Sequence, residues 1–176
     1  GDGGAIYANN AVTVTSSSMT HNTAITGSGG AVYANGTVQV TSSTMTDNTA
    51  NVNGGAIYTT ADITIDGVAN TFTNNVAETG DGGAIYTAGT ANIRNATFTN
   101  NTAKEDGGAI YANTTATVTN GTFTNNTAET GDGGAIYANG LVTLKSSTFV
   151  ENKAVDGGAV YSTGNVTNKA KFIGNE

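Results

Sequence analysis

The pentapeptide Gly-Gly-Ala-(Ile/Val)-Tyr occurs seven times, with its second glycine at positions 4, 30, 55, 83, 108, 134 and 158. The intervals are 26, 25, 28, 25, 26 and 24 residues. A period of this length marks a repeat architecture, in which one unit cannot bury its apolar face alone and stacks on copies of itself. The rest of each unit keeps phase with the pentapeptide. Eight residues after the glycine stand Val12, Val38, Ile63, Ala91, Ala116, Val142 and Val166. Ten residues after it stand Val14, Val40, Ile65, Ile93, Val118, Leu144 and, as the exception, Asn168. A large apolar residue follows: Met19, Met45, Phe72, Phe98, Phe123, Phe149 and Phe172. Three residues later comes asparagine, at Asn22, Asn48, Asn75, Asn101, Asn126, Asn152 and Asn175, and two further on an alanine in the first six units.

Period-two stretches such as Val12-Thr13-Val14 and Thr71-Phe72-Thr73, rich in β-branched residues, read as strands. No sustained 3.6-residue pattern calls for a helix. Each unit thus holds three short strands separated by turn residues such as Asn35-Gly36 and Asn139-Gly140. The fold expected is all-β: a right-handed parallel β-helix (β-solenoid) of seven coils of about 25 residues, the hand following from the preference of parallel crossovers. Residues 1–176 form a single domain, with coils starting near 3, 29, 54, 82, 107, 133 and 157 and no caps. Seven rungs at roughly 4.8 Å give a rod about 34 Å long. Ile6, Val12, Val14 and Met19 and their counterparts point inward, and the phenylalanines stack near the axis. The asparagines form a corner ladder, each amide bonding the next, with a backbone that tolerates φ > 0. Gly-Gly makes another corner, where a Cβ would clash or strain the turn. Two extra residues in coil three, within Asp66-Gly67-Val68-Ala69-Asn70, should bulge from a corner.

Composition narrows the function. Gly, Ala, Thr, Asn and Ser supply 115 of 176 residues, and Pro, Cys and Trp are absent. Without cysteine there is neither a disulfide framework nor a Cys-based metal or redox site. A net charge of −7 with six basic residues excludes nucleic-acid binding driven by phosphate contacts. No apolar run is long enough to span a bilayer as a helix.

The paired motifs Gly3-Gly4-Ala5-Ile6, with its six later copies, and Phe72-Thr-Asn-Asn75, Phe98-Thr-Asn-Asn101, Phe123-Thr-Asn-Asn126, Phe149-Val-Glu-Asn152 and Phe172-Ile-Gly-Asn175 resemble the GGA(I/L/V) and FxxN repeats of polymorphic outer-membrane proteins, which are bacterial autotransporter-type surface proteins. Coils one and two depart only in carrying methionine for phenylalanine. The resemblance covers the whole chain and implies an extracellular, cell-surface β-helical passenger, commonly used in adhesion.

Four outward features carry candidate chemistry. If Ile6 points in, Tyr7 points out together with Ala5, so Tyr7, Tyr33, Tyr58, Tyr86, Tyr111, Tyr137 and Tyr161 form an exposed stripe beside alanines. It is either a self-stacking ladder or an interaction surface for a protein, a glycan or a neighbouring rod. Ser18-Met19-Thr20, Thr44-Met45-Thr46 and their successors put two hydroxyl ranks on one flat face, an array similar to that of ice-binding β-solenoids; threonine also simply suits an exposed strand. Sequons such as Asn35-Gly-Thr37, Asn95-Ala-Thr97 and Asn120-Gly-Thr122 could make the chain a glycoprotein. Asp81, Asp106, Asp132 and Asp156 precede Gly-Gly in consecutive coils, with Ser28 and Asn53 at that place in earlier ones. Stacked carboxylates repel, and Ca2+ would bridge them, unless they are hydrated turn residues. Catalysis finds no support: His21 has only Asp47 as rank neighbour, Arg94 only Asp66 as an exposed ion-pair partner, and no motif places a nucleophile. The expectation is therefore not an enzyme, without cofactor apart from the calcium alternative.

The first and last coils read as open. Glu176 followed by the Gly1 of another copy would continue the repeat, so the partner is the chain itself, stacked end to end into a filament, or flanking repeats of a longer chain. The functions expected are a structural surface fibre or adhesin segment, then a ligand-binding module taking ice through threonine or glycan through tyrosine, then a polysaccharide lyase.

Overall fold

The computed structural model describes residues 1–176, and every regular element is a strand. No helix is long and apolar enough to cross a membrane. Strands at equivalent repeat positions pair in parallel, coil on coil, into seven rungs with a period of about 26 residues. The chain is a β-solenoid.

Each of the first five coils carries four strands where the sequence pattern gives three. The tyrosine strands, Ile6–Ala8, Val32–Ala34, Ile57–Thr59, Ile85–Thr87, Ile110–Ala112, Ile136–Ala138 and Val160–Ser162, make a seven-stranded sheet. Two further columns, beginning with Val12–Thr15 and Ser18–Thr20, merge through the single strand Val142–Val150 into a twelve-stranded sheet. The additional element is a two-residue strand, beginning with Thr23–Ala24 and ending with Thr127–Ala128, in a five-stranded sheet. Two residues are too few to display alternation, so this strand is visible in sequence only as the recurring alanine, which is buried: Ala24, Ala50, Ala77, Ala103 and Ala128.

Register is like on like. Tyr7 pairs with Tyr33, Met19 with Met45 and Phe72 with Phe98. The phenylalanine rings stack at centroid separations of 4.7–5.0 Å, and Phe72, Phe98, Phe123 and Phe149 are fully buried. The corners are laddered as well as the strands: 65 of 115 backbone hydrogen bonds lie outside regular strand pairing, and they join neighbouring coils. No buried side-chain nitrogen or oxygen lacks a partner.

The two glycines of the pentapeptide have separate duties. The first takes φ between +57° and +68° on every rung. The second does not; a Cβ on it would run into backbone, that of Gly83 into the Gly108 carbonyl and Thr102. The next residue corrects the expected parity. Ala5 is exposed on the first rung, but Ala31, Ala56, Ala84, Ala109 and Ala135 are wholly buried. Alternation holds only within a strand, and the strand starts at the isoleucine or valine. Ala31 and Val32 both donate their amides to the Ala56 carbonyl, so the alanine belongs to the turn and faces inward. Beyond the first rung the tyrosine stripe consequently has no exposed pentapeptide alanine beside it.

The asparagine corner departs from expectation in one respect. Positive φ belongs to the residue before each ladder asparagine: His21, Asp47, Asn74, Asn100, Asn125, Glu151 and Gly174. That turn frees the following asparagine to aim its side chain inward. The extra residues of coil three do bulge from a corner, with φ of 92° at Gly67 and 57° at Ala69 and with Val68 exposed.

Candidate interaction surface

In the strand Ile-Tyr-Ala/Thr the outer residues are buried and the tyrosine faces out. One strand per coil therefore gives one tyrosine per rung. Adjacent rings lie 4.8–5.2 Å apart between centroids, with interplanar angles of 1–9°, from Tyr7 to Tyr161 without a break. Parallel, offset rings cover one another's faces. Ring edges and hydroxyls are what the solvent meets. Tyr7 is 54% exposed, and the six others are partly buried. The column is thus a self-stacking ladder whose ring edges and hydroxyls line the surface.

Its electrostatics are acidic. Burial raises the phenol pKa of Tyr33, Tyr58, Tyr86 and Tyr137, with help from neighbouring phenols or carboxylates. For Tyr111 burial, then Tyr86 and the Asp81 charge push it up to about 12, against the amide of Asn139 donating to its hydroxyl at 3.0 Å. The aspartate column runs close to these rings.

Asp81, Asp106, Asp132 and Asp156 do form one column. Oδ1 of each of the first three accepts the backbone N–H of the next at 3.0, 2.8 and 3.1 Å. The column extends backwards through other residue types. Asn53 Oδ1 accepts from Asp81 N at 2.8 Å, Ser28 Oγ from Asn53 N at 3.3 Å, and Asp2 Oδ1 from Ser28 N at 2.8 Å. Asp2 was missed as a member, although it stands before Gly3-Gly4 as Asp81 stands before Gly82-Gly83. Burial, outweighing the Asp106 amide that favours the anion, and then the Asp106 and Glu105 charges push the Asp81 carboxyl up to about 6. Asp106 is raised for the same kinds of reason. No group of three or more His, Cys, Asp or Glu side chains converges as a metal cage.

The asparagine ladder is structural throughout. Each Nδ2 donates to Oδ1 of the next rung, from Asn22 to Asn175, at 2.8–3.0 Å. From Asn48 on it also donates to the carbonyl three residues before the previous asparagine, as Asn101 does to Phe72 at 3.0 Å. The threonine ranks lie in register on the twelve-stranded sheet, Thr44 with Thr71, Thr97, Thr122 and Thr148. Thr71 Oγ1 donates to Thr44 Oγ1 at 3.2 Å. His21 and Asp47 approach to 3.4 Å on the surface. Ile93 pairs with Ile65, which keeps Arg94 the rank neighbour of Asp66, but no ion pair forms between them; the other ion pair present is Lys104–Glu129. A second corner column escaped sequence reading. Ser43 Oγ, Asn70 Oδ1 and Ser147 Oγ each accept the amide of the preceding rung, and their varied identities hid the position.

The model of the Chlamydia polymorphic membrane protein repeat matches residues 42–60, 71–88, 95–113, 120–139 and 146–163. These segments cover just over half of the chain. The chain belongs to the polymorphic membrane protein repeat family. Each matched segment runs from the Met or Phe strand through the asparagine corner and the glycine turn to the tyrosine strand, so the family unit straddles two rungs and contains both ladders. Membership fits a segment of a surface, autotransporter-type protein. No curated protein and no solved structure matches the chain.

Proposed function

We propose that the chain is a non-enzymatic structural segment of an extracellular surface protein, a rod that presents ranks of side chains for adhesion and extends by stacking coil on coil. The observation that carries this reading is the unbroken register of a family repeat over seven rungs. Every rung presents its neighbour with the same backbone pattern, so a flanking repeat or a second copy adds without new geometry. The tyrosine column is the contact surface. Sugar stacking needs exposed ring faces, and here neighbours occupy them, so the column suits a protein partner better than a glycan. Beads coated with the folded chain are expected to attach to cultured cells more than beads coated with heat-denatured chain. Equal attachment removes the adhesin reading. Electron microscopy of concentrated protein tests stacking, and dispersed short rods at every concentration would sink the filament.

The in-register threonine ranks favour ice binding as the second reading. Thermal hysteresis is its signature, and unchanged freezing behaviour eliminates it. For the aspartate column we favour carboxylates held by backbone amides over bridging calcium; a melting temperature that falls on chelation would reverse that preference.

A further inference from the structure

Tyrosine is oxidisable, and here seven rings stand in one line with each face against the next. The chain has no cysteine, so disulfides cannot fasten one rung to another. We propose that the tyrosine column is a site of oxidative modification, in which neighbouring rungs of one molecule become joined by dityrosine bonds when a peroxide acts through a one-electron catalyst such as a haem peroxidase.

The chemistry balances within those reactants. Two phenols each lose one electron and one proton. The two radicals join through carbons ortho to their hydroxyls, forming one C–C bond. The hydrogens on those two carbons then move to the phenolic oxygens, which restores both aromatic rings. One molecule of hydrogen peroxide takes up the two electrons and two protons and leaves as two waters.

Register dictates the partners. A ring on this column meets only the rings above and below, so Tyr86 can reach Tyr58 or Tyr111 and no other tyrosine. The rings are partly exposed, which leaves room for the rotation that coupling requires. Tyr86 and Tyr111 form the closest pair, at 4.8 Å and 2°. Asp81 stands on the rung of Tyr86, five residues before it, and its charge is felt by both rings. The link between Tyr86 and Tyr111 should therefore be among the first to form.

The test is oxidation of the dilute purified protein with hydrogen peroxide and a haem peroxidase. The readouts are dityrosine fluorescence, intact mass and peptide mapping. Cleavage after Asp and Glu places Tyr58, Tyr86, Tyr111 and Tyr137 on separate peptides. Monomer two hydrogens lighter per link is expected, with links only between consecutive tyrosines. Tyr111→Phe should keep the circular dichroism spectrum, lose both links through position 111 and retain that of Tyr33 to Tyr58. Urea-unfolded chain should give scrambled links. Dityrosine confined to dimers with a yield that grows with concentration, links that skip a rung, or tyrosine consumed without dityrosine would each overturn the proposal.

Discussion

At the scale of single residues, the buried columns and the half-buried acids respond to opposite chemistry. Phe98 sits between Phe72 and Phe123 at 4.7 and 4.8 Å and is fully buried. Its neighbours are fixed by strand pairing on both sides, so the space left by Phe98→Ala cannot collapse. The expected cost is about 3–5 kcal/mol, read from urea denaturation. Asp81 works the other way. Its folded pKa of about 6 stands above the ordinary carboxyl value, so the folded state binds the proton more readily than the unfolded chain. Ionisation therefore costs stability, a cost complete above about pH 6 and absent below the unfolded value. Lowering the pH from 7.5 to 5, by about two and a half units, should raise the melting temperature. Asp81→Asn should flatten much of that rise, because Asn53 already serves at the same position one rung earlier. A melting temperature that falls over this interval in the wild-type chain, with Asp81→Asn changing nothing, would contradict the assignment.

At the scale of the element, the corner of coil three offers a deletion that the architecture should accept. Removing Gly67 and Val68 brings Ala69 into the slot held by Ser42 and Asn95, whose φ values are 49° and 50°; Ala69 already has 57°. The deletion loses the Asn95 amide bond to the Gly67 carbonyl at 3.0 Å and the bonds that the deleted Gly67 and Val68 amides donate to Asp66 and Ser42, and it removes the exposed Val68. Combined with Ala69→Asn, which suits positive φ, it should leave the melting temperature equal or higher. A large loss would mean that the bulge itself holds the coil. That this corner would bulge was legible, because the insertion broke a period that six other coils kept. The tyrosine and phenylalanine columns and the asparagine amide ladder were legible for the same reason: one residue type at one phase. What stayed hidden lacked one of those two signals. The column of Ser43, Asn70 and Ser147 keeps phase but changes chemistry, and any short acceptor suffices there. The inward alanines keep both, yet sit where a turn suspends the two-residue alternation, so Ala31 and its kin were assigned the wrong side. The acidic column was legible as four aspartates but not as a run of amide acceptors reaching back to Asp2, since that depends on backbone geometry.

At the scale of the whole molecule, a stack in which each rung touches only its neighbours unfolds as a chain of coupled units, and where it is broken matters as much as how badly. The second glycine of the pentapeptide permits a clean comparison. Gly30 and Gly83 occupy the same position on the second and fourth rungs, and a Cβ on either would meet the carbonyl of the next glycine in the column, Gly55 or Gly108. Both substitutions to alanine therefore do equal local harm. Gly83→Ala divides the rod near its middle, leaving two short stacks, each with few interfaces. Gly30→Ala leaves most of the rungs in one block. In urea, Gly83→Ala should show a lower midpoint and a shallower transition, because the slope follows the surface exposed by each cooperative unit. Gly30→Ala should retain most of the wild-type slope and midpoint after an early loss of signal from the first rungs. Equal slopes for the two variants would mean that the seven rungs unfold as one indivisible body, and that coupling between neighbours is stronger than a clash at a single corner can interrupt.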